Sequence, residues 1–197
     1  MFTAKALSAV LLTAILFSGN ACSQEISHAT FNDDGAVQAP KQYYKWIHVG
    51  TPVTPHGLNG GNAPFPEFHN VYIEPTAFDH FMKTGKWPSG TQIIKERTLV
   101  RGGANCDGKT GACTEASGIG YFQGAFKGLE LSIKDTKRFP DEPGGWVYFS
   151  FGNEGKPYKK TAEAFPTASC NECHQSGAET DFVFTQFYPI LHSKKAK

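Results

Sequence analysis

Strand-forming residues are concentrated in four stretches of the chain, each bounded by turn residues. The stretches cover residues 68–73, 91–101, 119–133 and 146–151 and predict strands. The third contains Gly124 and Gly128, so it forms either two strands or one strand with a bulge. No segment long enough for a crossover helix separates the last strands, and we therefore expect antiparallel pairing.

Apolar residues recur at helical spacing in residues 40–49, 75–84 and 180–195. Gly50 is expected to end the first helix, and the last is expected to pack against the sheet as an amphipathic helix. Residues 22–39 are polar and are predicted to form an N-terminal arm. Together the pattern predicts an α+β fold, a mainly antiparallel β-sheet with a few flanking helices, in one domain that spans residues 40–197.

The composition excludes some classes of protein. The chain has 197 residues and a mass of 21.5 kDa, which is the size of one domain with a leader. Its formal net charge is +1, and no basic run is longer than a pair of lysines. A nucleic-acid-binding protein normally carries a basic surface, so we do not expect a nucleic-acid partner.

The N-terminus has the pattern of a secretory signal peptide, residues 1–21. Lys5 is the only charged residue in its polar start, and the apolar run 6–17 is too short to span a bilayer. Cleavage after residue 21 would leave Cys22 as the first residue of the mature chain. An uncleaved anchor and a lipid on Cys22 are the alternatives, although Gly19 stands where a lipoprotein signal has a bulky aliphatic residue. Export would place the protein in an oxidising compartment, where disulfides persist.

Cys106 and Cys113 lie in a loop rich in Gly, Thr and Asn. After export, a disulfide that closes this short loop is the expected arrangement. A metal site is the alternative, but no His or further Cys lies nearby to complete a tetrahedral set of ligands.

Cys170-Asn171-Glu172-Cys173-His174 has the spacing C-x-x-C-H. Two thiols on one turn can add to the two vinyl groups of a porphyrin, and the next imidazole can bind its iron. A zinc knuckle and a redox dithiol are the alternatives for a CxxC pair. The predicted export, the adjacent His and the lack of a second CxxC favour a c-type haem, with Cys170 and Cys173 as the attachment points and His174 as the metal ligand.

The residue on the other side of the iron would decide the function. In small electron-transfer cytochromes a Met downstream of the motif is the sixth ligand. No Met follows His174, and Met82 lies in the predicted helix 75–84 at a spacing typical of core packing. None of the other six histidines has a supporting motif. We therefore expect an open distal site, at which iron can bind and transform small molecules. Alternating apolar residues, Val147, Phe149 and Phe151, would either wall off that site or simply pack in the core.

Motifs along most of the chain resemble those of the cytochrome P-460 family. They include Pro40-Lys41, Val49-Gly50-Thr51, Phe65-Pro66-Glu67-Phe68, Val71-Tyr72-Ile73, Lys95-Glu96, Gly120-Tyr121-Phe122, Arg138-Phe139, Glu142-Pro143-Gly144, Pro166-Thr167-Ala168, Thr180-Asp181 and Phe187-Tyr188-Pro189. The motifs occur in the family's order from about residue 31 to residue 191.

The resemblance implies a homodimeric, mainly antiparallel β haem protein of the bacterial periplasm. It implies oxidation of hydroxylamine to nitrous oxide, or to nitric oxide and nitrite, with electrons passing to a small soluble cytochrome. It also implies a covalent bond between the porphyrin edge and a lysine, which corresponds to Lys95 here. A related branch, cytochrome c-prime-beta, has the same fold without that bond and binds nitric oxide. Nitric-oxide binding is therefore an alternative function, and plain electron transfer is a third.

Oxidation of hydroxylamine requires a base within hydrogen-bond reach of the substrate. The family uses a carboxylate, and Glu163 is the candidate within residues 153–165. His69, in the first predicted strand, is a second candidate. For each of them, a surface position without a catalytic role is the alternative.

Overall fold

The computed structural model of the protein describes residues 28–192. The predicted signal peptide, Cys22 with the start of the predicted arm, and residues 193–197 lie outside the described residues. The strands are β1 (Val37–Gln38), β2 (Ile47–Gly50), β3 (Phe68–Ile73), β4 (Gln92–Val100), β5 (Cys113–Glu115), β6 (Gly118–Gly120), β7 (Gln123–Lys134), β8 (Trp146–Ser150) and β9 (Thr161–Ala162). The α-helices are α1 (Pro75–Thr84), α2 (Thr167–Gly177) and α3 (Pro189–His192).

Five strands form the main sheet, in the order β2-β3-β4-β7-β8, and all neighbours are antiparallel. Two short ribbons, β1-β9 and β5-β6, complete the strands. The α+β fold predicted from the sequence is thus confirmed. The long third stretch is two strands, and the pairing of β4 with β7 is irregular around Thr98, where Phe126 and Gly128 lie opposite.

Helix α1 begins and ends where the sequence predicts. The Glu74 side chain accepts a hydrogen bond from the Ala77 backbone N–H at 2.8 Å, and Pro75 occupies the first turn, where no backbone donor is needed. Gly85 ends the helix with φ of 72°, in the left-handed region. Met82, a residue of this helix, packs against the hydrophobic core, as its spacing predicts.

The helix predicted for residues 40–49 is wrong. Tyr43–Lys45 form a single 3-10 turn, and Ile47–Gly50 form the edge strand β2. Pairing of β2 with β3, as of Ile47 with Ile73, gives hydrogen-bond partners to backbone groups at the edge of β3. Sheet formation therefore outweighs the helical spacing of the apolar residues in this segment.

The long helix predicted for residues 180–195 is also wrong within the described residues. Thr185–Phe187 form a 3-10 turn, and α3 is only one turn long. Pro189 has no backbone N–H and disfavours helical backbone at the residue before it, so a continuous helix cannot pass Tyr188. Tyr188 accordingly has extended backbone, with φ of −126° and ψ of 96°.

The sheet buries apolar side chains on both faces. The first core consists of Val49, Val71, Ile73, Ala77, Phe81, Trp87, Ile93, Trp146, Tyr148, Val183, Tyr188 and Leu191. The second core consists of Val37, Ile94, Leu129, Leu131, Ile133, Val147, Phe149, Phe151 and Ala162. Cys170 packs against the first core, whereas the alternating residues of β8 belong to the second. Val147, Phe149 and Phe151 therefore pack in the core and do not face the CxxCH motif.

Part of the predicted N-terminal arm packs on the second core. Val37 is fully buried there, and β1 pairs with β9. The domain boundaries themselves stay predictions. None of the helices in residues 28–192 has the length and the apolar character needed to cross a bilayer.

Candidate haem-binding site

The CxxCH motif lies on α2, so its two thiols share one helical turn, as the spacing predicts. Asn171, between the cysteines, is 3% exposed, and its Nδ2 donates a hydrogen bond to the Trp146 carbonyl at 2.9 Å. That bond fixes α2 against the start of β8. Cys170 is half-buried and Cys173 is exposed, and neither is in a disulfide.

His174 is held with one ring nitrogen free. Its Nδ1 lies 2.7 Å from the Phe182 carbonyl oxygen. Because a carbonyl only accepts, Nδ1 carries the proton, which leaves the lone pair of Nε2 for a metal. The ring packs against Tyr148, with centroids 4.5 Å apart, and against Phe184 at 4.9 Å. Burial lowers the pKa of His174, so the ring is neutral at neutral pH, as a metal ligand must be.

The segment that supplies this carbonyl is itself anchored. Asp181 and Phe182 have φ of 45° and 63°, in the left-handed region that few residues other than glycine adopt. The carboxylate of Asp181 accepts hydrogen bonds from Lys134 Nζ at 2.5 Å and from Trp146 Nε1 at 3.3 Å. These two bonds hold the strained turn in place beside His174.

Lys95 projects from β4 towards the same side of the sheet. It follows Ile93 of the first core by two residues, and side chains alternate along a strand, so the two share a face. Its Nζ lies 3.8 Å from Glu130 Oε2. The positive charge of Lys95 adds to the burial that lowers the pKa of His174, and it opposes the burial that raises the pKa of the Cys170 thiol. The lysine, the thiol and the imidazole therefore lie within electrostatic range of one another.

Arg97 joins two carboxylates next to Lys95. Its guanidinium donates to Glu67 Oε1 at 3.0 Å and pairs with Glu130 Oε1 at 2.8 Å. Gly128 is required here, because a Cβ at that position would lie 2.6 Å from an Arg97 nitrogen. His69 lies on the same face, two residues before Val71 of the first core. Burial, followed by the charges of Lys95 and Arg97, lowers the pKa of His69 to about 4.

Five buried polar atoms on this face have no hydrogen-bond partner within the described residues. They are Glu67 Oε2, Glu130 Oε2, His69 Nε2, Trp87 Nε1 and Tyr148 Oη. A buried polar atom without a partner costs about 1–3 kcal/mol, so a protein seldom concentrates several in one place unless something else binds there. They surround the side of the sheet that His174 and Lys95 face. Buried polar atoms without partners in this position fit a bound cofactor that itself carries a polar ligand.

These residues suit a c-type haem. Two adjacent thiols, an imidazole with a free Nε2 and the apolar first core match the attachment points, the axial ligand and the ring contacts that such a haem requires. The fold and the side chains around α2 thus define a c-type haem protein.

Comparison with known families identifies which one. The family model described as Cytochrome P460 matches residues 40–185. The chain belongs to the cytochrome P460 family, as its motifs predict. A search of curated proteins gave no match.

The structure brings together most of the residues that the sequence singles out. Lys95, His69, Cys170 and His174 lie on one side of the sheet, and Cys173 lies on the same helix as Cys170. Glu163 is exposed just after β9, and its role as a base stays a prediction. The predicted disulfide between Cys106 and Cys113 is confirmed.

Sequence reasoning missed three residues of the site, Glu130, Arg97 and Tyr148. Glu130 lies between two leucines of a strand whose other face is apolar, and Arg97 follows Lys95 at a spacing of two. The register of β4 against β7, which places Lys95 directly opposite Glu130, is the signal that could have found this residue. Tyr148 carries no such signal, because a tyrosine in a buried strand is ordinary.

Proposed function

We propose that the protein oxidises hydroxylamine at a haem held by Cys170, Cys173 and His174. When bound, the haem would supply an iron centre that withdraws electrons from hydroxylamine. The observation that carries the proposal is the ion pair of Lys95 with Glu130 beside His174, in which the buried Oε2 of Glu130 accepts no hydrogen bond.

In this proposal Glu130 is the proton acceptor. Its Oε1 is held by Arg97, whereas its Oε2 accepts no hydrogen bond, has Lys95 Nζ 3.8 Å away and could accept a proton from a substrate. Arg97 fixes the orientation of the carboxylate through charge-assisted hydrogen bonds. An ionised carboxylate at hydrogen-bond distance from the substrate can remove its protons as electrons leave.

His69 is a second proton acceptor in the same proposal. Its pKa of about 4 makes the ring neutral at neutral pH, and its Nε2 is buried without a partner. Glu163, which is exposed, is less well supported as a base. Tyr148 would contribute a hydroxyl, because burial raises its pKa and keeps the phenol protonated.

We further propose that Lys95 forms the lysine–porphyrin bond that the family resemblance implies. One N–H of Lys95 and one C–H of the porphyrin edge would break, an N–C bond would form, and the two hydrogens would pass to a two-electron oxidant such as a peroxide. Support comes from its place on the face occupied by His174 and Cys170 and from its exposed fraction of 38%, which leaves the amine accessible. Such a bond would alter the electronic properties of the macrocycle, which is one way a protein tunes a haem.

Binding of nitric oxide without turnover is the second candidate function. It would need only an open iron position, whereas the charged residues around Lys95 favour chemistry in which protons move. Export to the periplasm, dimerisation and transfer of electrons to a small soluble cytochrome are parts of the proposal that rest on the family resemblance.

Two measurements on the purified haem protein test the function. Steady-state oxidation of hydroxylamine with a small electron acceptor should be detectable in the wild type, and a protein that binds nitric oxide but does not consume hydroxylamine would support the second candidate. Intact mass should lie two hydrogens below the sum of chain and haem if Lys95 is cross-linked. Lys95→Leu should restore that sum and a normal c-type absorption spectrum. Exposed Lys109→Leu is the matched control and should leave both unchanged.

A further inference from the structure

Two lysine-rich segments meet on the face of the sheet opposite the candidate haem site. Residues 40–46 and 155–161 together carry five lysines and no acidic residue. The lysines are Lys41, Lys45, Lys156, Lys159 and Lys160, and all five are exposed. Exposed Glu154 and Glu163 flank the second segment, so the five lysines leave a local excess of positive charge in a chain whose formal net charge is +1. We call these five residues the lysine surface.

The two segments are joined through one buried carboxylate. Glu96 is 6% exposed, and its Oε1 accepts hydrogen bonds from Tyr43 Oη at 2.6 Å and from Tyr158 Oη at 3.1 Å. Lys156 Nζ lies 3.0 Å from the same oxygen. The Ala39 backbone N–H also donates to the Lys160 carbonyl at 2.9 Å. These contacts make the lysine surface a fixed part of the fold.

An exposed aromatic ring lies among the lysines. Tyr44 is 65% exposed and contacts Tyr43, with ring centroids 6.3 Å apart. Tyr43 in turn bonds Glu96, which is the residue after Lys95. Since consecutive residues of a strand point to opposite faces, Lys95 faces the candidate haem site and Glu96 faces the tyrosines. At this point only the backbone of β4 therefore separates the candidate haem site from the tyrosines on the other face.

We infer that the lysine surface, centred on Tyr44, docks an acidic one-electron redox protein that removes electrons from the site on the other face. The inference rests on the proposed function, because hydroxylamine oxidation requires an electron acceptor. In each transfer one electron leaves the haem side and reduces the partner's redox centre by one electron, and no bond forms or breaks in either chain. Charge complementarity would steer the encounter, while the tyrosine would provide a close contact at its centre.

A protein partner is favoured over a lipid surface by the character of the patch. Insertion into a bilayer needs several apolar side chains at the headgroup level. Here one exposed tyrosine lies in a segment whose charged residues are all lysines, which suits a partner surface bearing carboxylates.

The test uses the haem protein and, as probe, a small soluble cytochrome whose exposed haem edge is ringed by Asp and Glu. The test variant is the triple charge reversal Lys41→Glu, Lys159→Glu, Lys160→Glu. Lys156 is left in place because it also contacts Glu96 and the Phe126 ring. The matched control is Lys86→Glu, Lys109→Glu, Lys137→Glu, an equal change of charge at exposed lysines elsewhere.

Binding is measured by calorimetry at low and high ionic strength, and electron transfer by stopped flow from chemically reduced protein to oxidised probe. The test variant should bind the probe about tenfold more weakly or worse and transfer electrons correspondingly more slowly, with the difference shrinking at high salt. The control should stay within about twofold of the wild type.

The inference is overturned if the wild type does not bind the acidic probe, or if both triple variants weaken binding equally. It is also overturned if the test variant keeps its affinity for the probe but no longer sediments with vesicles that contain phosphatidylglycerol. That result would assign the lysines to a lipid surface. Failure of the proposed function is seen separately, as absence of hydroxylamine oxidation by the wild type with a small uncharged quinone. The stopped-flow arm starts from chemically reduced protein and does not depend on that result.

Discussion

Lys95 and Glu130 lie directly opposite each other on β4 and β7, and their side chains meet with Nζ 3.8 Å from Oε2. Arg97 holds the other oxygen of the carboxylate and ties it to Glu67. A cation that the family resemblance assigns to the porphyrin edge thus shares a carboxylate with the charge network that surrounds the site. The register of two strands therefore determines which acid is available for proton transfer.

Replacement of Glu130 by Gln should impair hydroxylamine oxidation without unfolding the protein. The amide keeps the shape of the side chain but cannot accept a proton, and loss of a general base typically lowers kcat by about 10²–10⁴-fold. The measurement is steady-state turnover by haem-loaded protein, with the absorption spectrum as a check on haem content. Glu163→Gln, at an exposed position, is the matched control and should keep wild-type turnover. The reverse result would move the base to Glu163.

Replacement of Arg97 by Met should destabilise the fold strongly. The side chain of Arg97 is 10% exposed, and its removal leaves the carboxylates of Glu67 and Glu130 buried without their common cation. Breaking such a buried pair costs about 3–5 kcal/mol. Urea unfolding of the haem protein measures the loss.

The control for that experiment is Arg101→Met. Arg101 pairs with Glu115, but both side chains are more than a third exposed, at 38% and 35%. A solvent-exposed pair contributes at most about 1 kcal/mol, so a small effect is expected. If both variants lose the same free energy of unfolding, the network around Arg97 stabilises the fold no more than an exposed ion pair does.

His69 should make stability depend on pH. Its pKa in the folded protein is about 4, below the ordinary value of 6.5, because burial and the charges of Lys95 and Arg97 oppose protonation. Between these values the unfolded chain binds the proton and the folded chain does not. The free energy of unfolding should therefore be highest above pH 6.5 and fall as the pH is lowered towards 4, by about 3 kcal/mol at most from this residue.

A pair of urea titration series checks this pH dependence. His69→Gln removes the titrating ring, so the difference in free energy of unfolding between wild type and variant should change by up to about 3 kcal/mol between pH 7.5 and pH 4. If the difference stays constant over that range, His69 does not have a lowered pKa in the folded protein.

Asn171→Ala should loosen the motif helix. The change removes the donor to the Trp146 carbonyl and leaves that buried acceptor unpaired, which costs about 1–3 kcal/mol. The neighbouring residue Glu172 is exposed, so Glu172→Ala should have little effect. The two variants differ by one position in the same CxxC spacer, and thermal unfolding of each haem protein compares them directly.

Local signals predicted the elements that depend on local interactions. The strand 68–73 and the helix 75–84 are confirmed at both ends, because turn residues, Pro75 and Gly85 define them. The disulfide was predicted from two cysteines in a short loop of a chain that we expect to be exported. The CxxCH motif was readable because its chemistry requires adjacent residues.

Features that depend on distant residues could not be read in this way. Residues 47–50 carry a spacing that also suits a helix, and only the free edge of β3 makes them a strand. Glu130 gains its role from its register with Lys95, thirty-five positions away, and from Arg97. Glu163 is the candidate carboxylate within residues 153–165, and its exposure shows how little the position of a residue in the sequence reveals about its burial.

The hydrogen bond from His174 to the Phe182 carbonyl separates two properties that a c-type haem motif usually combines. In the proposed site, attachment would depend on Cys170 and Cys173, whereas the basicity of the His174 imidazole would depend on a turn that Asp181 holds from outside the motif. Substitutions at residues 180–183 would therefore change the basicity of His174 while the five motif residues stay constant. Related chains with identical CxxCH sequences can in this way differ in the reduction potential of their haem.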